Sequence, residues 1–280
     1  MKNIAASAIT EHIRDMCIEA NCVLPEDVVG CIQKCHQEET WQASRDTLEK
    51  LMENIEISRS EQVPLCQDTG MACVFLNLGQ DVHITGGDLY EAVHEGVRQG
   101  YAQGYLRKSV VRDPLRRENT GDNTPALIHV EIVPGDGLTI TVAPKGFGSE
   151  NMGRLAMLPP SAGIDGVKAF VVETVRLAGP NPCPPVVVGV GIGGSFDRVA
   201  FLAKKALMRP LDIPHPDPMY RELEEALLQE INALGIGPQG FGGKTTALGV
   251  NIEAFPTHIA GLPVAVNLNC HVARHVQAVL

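Results

Sequence analysis

Three cysteines of this chain stand where a thiolate can face a cavity. Cys66 opens Cys66-Gln67-Asp68-Thr69-Gly70. Cys183 lies in Asn181-Pro182-Cys183-Pro184-Pro185, ahead of a Gly-rich apolar run. Cys270 closes the strand-like stretch Asn267-Leu268-Asn269-Cys270-His271. Each is flanked by turn-forming or polar residues. Three dispersed thiolates on separate loops suit an iron–sulfur cluster. A [4Fe–4S] cluster ordinarily takes four Cys ligands. With three, one iron keeps an open position, and an open position on a metal is where Lewis-acid catalysis takes place.

Composition narrows the classes. The 280 residues carry a net charge of −10, so no basic footprint supports nucleic-acid binding. An anionic substrate needs a local cationic pocket that works against this field. No apolar run approaches the roughly 20 residues that span a bilayer. The N-terminus lacks a signal-peptide core. Eight cysteines without such a signal point to a reducing, cytoplasmic setting, and there to metal or redox chemistry rather than disulfides.

Other motifs have plainer explanations. Cys17, Cys22, Cys31 and Cys35 lack a CxxC knuckle and read as core or surface thiols rather than a zinc site. Cys73 reads as a packing residue. Gly189-Val190-Gly191-Ile192-Gly193-Gly194 matches GxGxxG, but no acidic strand end follows about 20 positions on, only a Pro-rich loop. Gly243-Lys244-Thr245 fails as a phosphate loop because Pro238 stands where the first Gly belongs. Arg107 and Lys108 close a helix, where positive charge suits the C-terminus. Lys145 begins Lys145-Gly146-Phe147-Gly148-Ser149-Glu150-Asn151, too Gly-rich for a regular element and able to offer backbone N–H groups to a carboxylate. His258 precedes the strand that delivers Cys270.

The elements that must position these residues read as one mixed α/β domain over 1–280, with an N-terminal helical layer over 1–62 followed by the cluster-binding part. Helices are expected from Pro25 toward Glu39 and over Ser44–Ser58. A strand is expected over Met71–Leu78. A helix begins at Asp88, with Glu91 at capping-box spacing and Leu89, Val93, Val97, Tyr101 and Tyr105 as an i,i+4 ladder. Leu127–Val133 and Leu138–Ala143 read as a hairpin across Pro134-Gly135-Asp136-Gly137. Val186–Ile192 reads as a buried strand and Ser195–Met208 as a helix. Asp217-Pro218 opens another helix, stopped by Gly235. Val250–Ala254 and Pro263–Asn269 are the last strands. No internal repeat is visible.

CQDTG, RRENTGDNTP, KGFGSENM, NPCPPVVVGVGIGGS, RPLDIPHPDP, GIGPQGFGGKTTALGV and HIAGLPVAVNLNCH together resemble the alpha subunit of class I, iron–sulfur fumarate hydratases. The resemblance runs from about Pro64 to Arg274. The same family includes L(+)-tartrate dehydratase and mesaconate-hydrating enzymes, and KGFGSENM with VAVNLNCH looks more like the fumarase branch. The resemblance implies a hydro-lyase that reversibly hydrates fumarate to (S)-malate. It implies a [4Fe–4S] cluster on Cys66, Cys183 and Cys270, active-site positions at Gln67 and Asp68, a carboxylate-binding Arg107, a backbone approach to substrate at Gly148 and an active-site His258. Asp68 and His258 are this chain's candidates for proton transfer. The family's further Arg, Thr and Lys residues belong to a beta part, which this chain lacks after Cys270. A beta subunit, in an alpha2beta2 hetero-oligomer, is therefore expected. Tartrate and mesaconate are the alternative substrates. An electron-transfer iron–sulfur protein is the rival of another class, and it would want four close-spaced Cys.

Overall fold

The computed structural model describes residues 2–280. In chain order it begins with β1 (Lys2–Ala5), α1 (Ala6–Cys22), α2 (Glu26–Glu38), α3 (Gln42–Glu61), β2 (Met71–Gly79), β3 (Val82–Thr85) and α4 (Leu89–Gln103). There follow β4 (Leu127–Val133), β5 (Leu138–Lys145), the single turn α5 (Phe147–Glu150), β6 (Arg154–Leu158), α6 (Gly163–Ala178) and β7 (Val186–Gly193). The chain closes with α7 (Phe196–Ala206), α8 (Pro218–Asn232), β8 (Ala247–Phe255), β9 (Leu262–Asn269) and β10 (Val276–Val279). These pack as two compact units. One holds the chain up to Pro25, Ile55–Phe147 and Arg274–Leu280. The other holds Glu26–Asn54 and Gly148–Ala273.

In the first unit a four-stranded sheet, ordered β10-β5-β2-β4, shares a core with α1 and α4. Ile9, Ile13 and Met16 of α1 meet Val93, Val97 and Tyr101 of α4 there. The Asp88 side chain caps α4 by accepting from Glu91 N at 3.0 Å. The helix ends at Gln103, so Tyr105 leaves the expected ladder and is 91% exposed. The expected hairpin is absent. β2 lies between β4 and β5, parallel to one and antiparallel to the other. The physical reason is burial. Ala72, Cys73, Val74 and Leu76 of β2 are all buried, and a strand covered on both faces belongs inside a sheet. The turn at 134–137 instead steps over the end of β2, with Gly137 O and Gly135 O accepting from Gly79 N and Asp81 N. The opening residues also differ from the helical expectation, because β1 pairs in parallel with β3.

In the second unit the sheet runs β6-β9-β7-β8. Val186, Val188, Val190 and Ile192 of β7 share a core with α6 and α8. On the strand's alternate positions, a Cβ on Gly189 would stand 2.2 Å from Ala203 O, and one on Gly191 2.3 Å from Val199 O. The GxGxxG match therefore serves the close seating of α7 on β7. β7 is parallel to β8 and antiparallel to β9, as β2 is to β4 and β5. The strand arrangement thus repeats although the sequence shows no repeat.

Glu39, 2% exposed, ties down the loop that follows α8. Its carboxylate accepts from Thr40 N (2.8 Å), Trp41 N (2.9 Å) and Lys244 N (2.8 Å). The amide of the would-be phosphate loop is thus occupied by the protein's own carboxylate. Burial alone would raise the Glu39 carboxyl, but N–H donors at Trp41, Lys244 and Thr40 outweigh it and hold the group below its ordinary value. A depressed carboxyl contributes stability above its unfolded pKa, and that contribution is lost as pH falls through the folded value. Glu39→Ala is expected to cost about 1–3 kcal/mol in urea denaturation at neutral pH. It should also remove part of the acid destabilisation below about pH 4.5. A Glu39→Ala chain as stable as the parent at both pH values would contradict this.

Candidate active site

In the first unit the loop from Cys66 to Gly70 gathers three of the sequence-derived candidates. Asp68 N–H donates to Cys66 Sγ at 3.4 Å. The Asp68 carboxylate is held at both oxygens, Oδ1 by Gly70 N at 3.0 Å and Oδ2 by Phe147 N at 2.9 Å. The Gly-rich stretch after Lys145 therefore does offer an amide to a carboxylate, and that carboxylate belongs to Asp68. Thr69 Oγ1 donates to the backbone oxygen of Arg107 at 3.1 Å, which brings the Arg107 segment alongside. Gly70 has φ +71°, and a Cβ there would stand 2.6 Å from the backbone of Lys145. Only glycine lets this loop lie flat against the end of β5.

Arg107 does not cap α4. It lies past the helix end, exposed, and its guanidinium takes part in no hydrogen bond or ion pair among the described residues. Gln67 is exposed beside Cys66, and Cys66 and Asp68 are half-buried. Lys145 is 3% exposed at the end of β5.

Three positioning residues escaped the sequence analysis. Asn123, fully buried with φ +64°, donates from Nδ2 to Gly70 O at 3.1 Å. Its Oδ1 accepts from Ser109 N at 2.7 Å and Val110 N at 3.2 Å. It thereby joins the Cys66 loop to the segment after Arg107. Asn tolerates the left-handed region better than most residues, and its place in RRENTGDNTP was the available signal. Tyr101 donates its hydroxyl to Thr69 O at 2.6 Å. Arg274 donates to Asp68 O.

In the second unit Cys183 and Cys270 come to the same end of the sheet. Cys183 precedes β7 and Cys270 follows β9, and Val187 pairs with Asn269. His271 N donates to Cys183 O at 3.4 Å. Gln239 braces the pair, donating from N at 2.7 Å and from Nε2 at 2.8 Å to Pro184 O, with Nε2 also 3.2 Å from His271 Nδ1. Cys183 is exposed and Cys270 half-buried. Gly148 is exposed, and its open face looks toward Asn181 O. His258 is not part of this group. It lies on the exposed connection between β8 and β9, where its Nδ1 accepts from Ala260 N at 3.1 Å. β9 separates it from Cys270, and eight extended residues span more than about 20 Å.

The donor set fits an iron–sulfur cluster. No disulfide engages any of the eight cysteines, and a backbone N–H aimed at Cys66 Sγ is the kind of contact that tunes cluster thiolates. Among the described residues no three His, Cys, Asp or Glu converge as ligands of a single metal ion do. A cluster imposes a different geometry, since each thiolate binds its own iron. The remaining thiols are less apt. Burial pushes Cys17 up to about 12 and Cys31 to about 11. No helix is long and apolar enough to cross a membrane among the described residues.

The family described as Fumarate hydratase (Fumerase) matches residues 10–279. A Methanocaldococcus jannaschii protein, provisionally named L(+)-tartrate dehydratase subunit alpha, is 43% identical over 273 residues, which is 95% of this chain and 95% of that protein. The L(+)-tartrate dehydratase alpha subunits of Escherichia coli strains UTI89 and K12 are 34% and 33% identical over 277 residues, 98% of this chain and 91% of theirs.

The Asn123 bonds yield a direct expectation. Asn123→Ala leaves Gly70 O, Ser109 N and Val110 N without their partner and should cost about 2–4 kcal/mol in urea denaturation. Asn123→Asp keeps the acceptor for Ser109 N and Val110 N but sets a carboxylate oxygen against Gly70 O in a fully buried site, and should cost at least as much. A loss within about 0.5 kcal/mol for Asn123→Ala, the range of an ordinary surface change, would show that the loop does not depend on it.

Proposed function

Since this chain belongs to the fumarate hydratase (Fumerase) family and is a hydro-lyase alpha subunit, we propose that it hydrates fumarate to (S)-malate, with Cys66, Cys183 and Cys270 holding a [4Fe–4S] cluster. The observation that carries this reading is the loop from Cys66 to Gly70. It joins a thiol, a carboxylate fixed at both oxygens and the segment of an unpaired arginine through four hydrogen bonds. When bound, the cluster supplies a Lewis-acidic iron that polarises a substrate oxygen.

The chain's own residues do the rest. The exposed Arg107 guanidinium grips one carboxylate of the dianion by a bidentate contact. Gln67 and the backbone of Gly148 orient the diacid by hydrogen bonds. Hydration moves one proton on oxygen and one on carbon, and Asp68 and His258 are the groups of this chain assigned to that work. Because Ala260 N–H donates to His258 Nδ1, the neutral ring carries its proton on Nε2, which is the atom able to give it. A four-carbon diacid cannot bridge the length of β9, so His258 serves the cluster of a second alpha copy. That requirement, together with relatives named as alpha subunits, supports an alpha2beta2 assembly in which a beta subunit brings further substrate-binding groups. Dehydration of L(+)-tartrate is the second reading, favoured by the names of those relatives, and it uses the same groups.

The reading is tested by anaerobic reconstitution with iron and sulfide, with and without the beta subunit, followed by assays on fumarate, mesaconate and tartrate. Cys66→Ser, Cys183→Ser and Cys270→Ser should each abolish the visible cluster absorbance, whereas Cys17→Ser and Cys31→Ser should leave it. A full cluster in Cys183→Ser would sink the ligand assignment. The placement of His258 has its own test. Co-expressed Cys183→Ser and His258→Ala chains, each inactive alone, should regain activity together. Mixtures as inactive as their parents would show that His258 does not serve the cluster of a second copy.

A further inference from the structure

Arg274 is a buried cation without a buried anion. It is 3% exposed, and no carboxylate pairs with it among the described residues. Nε donates to Pro144 O at 3.2 Å and Nη2 donates to Asp68 O, while Nη1 is buried without a partner. Tyr101 and Cys22 of the first unit also lie within electrostatic reach of it, and both are neutral in their ordinary state at pH 7. The nearest carboxylate on the loop, Asp68, spends its oxygens on the Gly70 and Phe147 amides. A charge buried with only carbonyl dipoles around it is costly unless an anion compensates it. The atom it grips points to that anion. Asp68 offers its oxygen to Arg274 and its N–H to Cys66 Sγ, so the guanidinium stands within about 10 Å of the sulfur through a single residue.

We propose that Arg274 is the positioning residue of the Cys66 loop and the fixed countercharge of whatever anionic metal centre Cys66 binds. The proposal rests on the cluster assignment above. The guanidinium fork holds the Asp68 carbonyl, which aims the Asp68 N–H at the sulfur, and its charge favours the electron-richer state of the centre. Its role is protective. A centre with an open iron is damaged when it gives up an electron, and a nearby positive charge opposes that loss. A unit charge at this distance, at an effective dielectric constant of about 20, shifts a one-electron equilibrium on the order of tenfold.

The test uses the reconstituted full chain with its beta subunit, in the parent, Arg274→Gln and Arg274→Lys forms. Melting of the unloaded chains reports folding, and iron and sulfide content reports loading. A dithionite titration followed by EPR, one electron per cluster, reports the reduction equilibrium. Arg274→Gln should favour the oxidised form on the order of tenfold relative to the parent and should lose iron severalfold faster in air. Arg274→Lys keeps the charge and should stay within about twofold of the parent. A loaded Arg274→Gln protein with the parent's equilibrium and air stability would overturn the proposal. So would a folded Arg274→Lys protein displaced as far as charge loss requires, or failure of both variants to fold, which would make Arg274 a core residue only. If the parent itself binds no iron and sulfide, the cluster assignment fails first, and the two failures are told apart.

Discussion

The site in the first unit depends on how the Asp68 residue spends its polar atoms. Its N–H goes to Cys66 Sγ, its carbonyl to Arg274 and its carboxylate to the amides of Gly70 and Phe147. One residue thereby fixes the sulfur, the loop and the start of the Gly-rich segment. None of these bonds arises from regular secondary structure. They replace the ladder that a five-residue loop cannot make for itself, and buried backbone groups must find such partners. Gly70 and Asn123 complete the arrangement, one by removing a Cβ that would strike β5, the other by bonding the loop to the segment after Arg107.

The strand pattern explains why the cysteines come where they do. In each unit a central strand has a parallel neighbour on one side and an antiparallel one on the other. Cys66 and Cys183 both precede the central strand, and Cys270 follows the antiparallel strand that ends beside Cys183. Loops at strand ends hold side chains on a rigid frame while leaving them open to a ligand. The same frame sets a limit, since it puts His258 at the far end of β9. Proximity in sequence to the strand that delivers Cys270 is therefore no guide to proximity in space.

Much of this was legible in the residues. The Asp88 cap and the Asp217-Pro218 start depend on short-range chemistry, and both side chains accept the expected amides. β2 announced itself by its apolar run and β7 by its β-branched content. What could not be read was pairing. The turn at 134–137 has hairpin chemistry, yet which strand fills the gap beneath it is decided by burial of β2 and not by the turn. α6 is not among the expected elements, and Pro159, Pro160, Gly163 and Gly166 crowd its start with residues poor in helix propensity. At the site, the loop cysteines stood out by their surroundings, whereas Asn123 and Arg274 act through backbone atoms of residues far away in sequence, and no spacing rule exposes such a contact. Arg107 likewise has the chemistry of a helix cap, but α4 stops at Gln103.

We propose that this hydro-lyase works through one open iron of a three-cysteine cluster. Mössbauer spectroscopy of the 57Fe-reconstituted complex, recorded before and after addition of the diacid, tests it most directly. The account predicts that one iron in four changes its isomer shift and quadrupole splitting when the diacid binds, while the other three keep theirs. Four irons that all remain unchanged in a complex turning over substrate would contradict it.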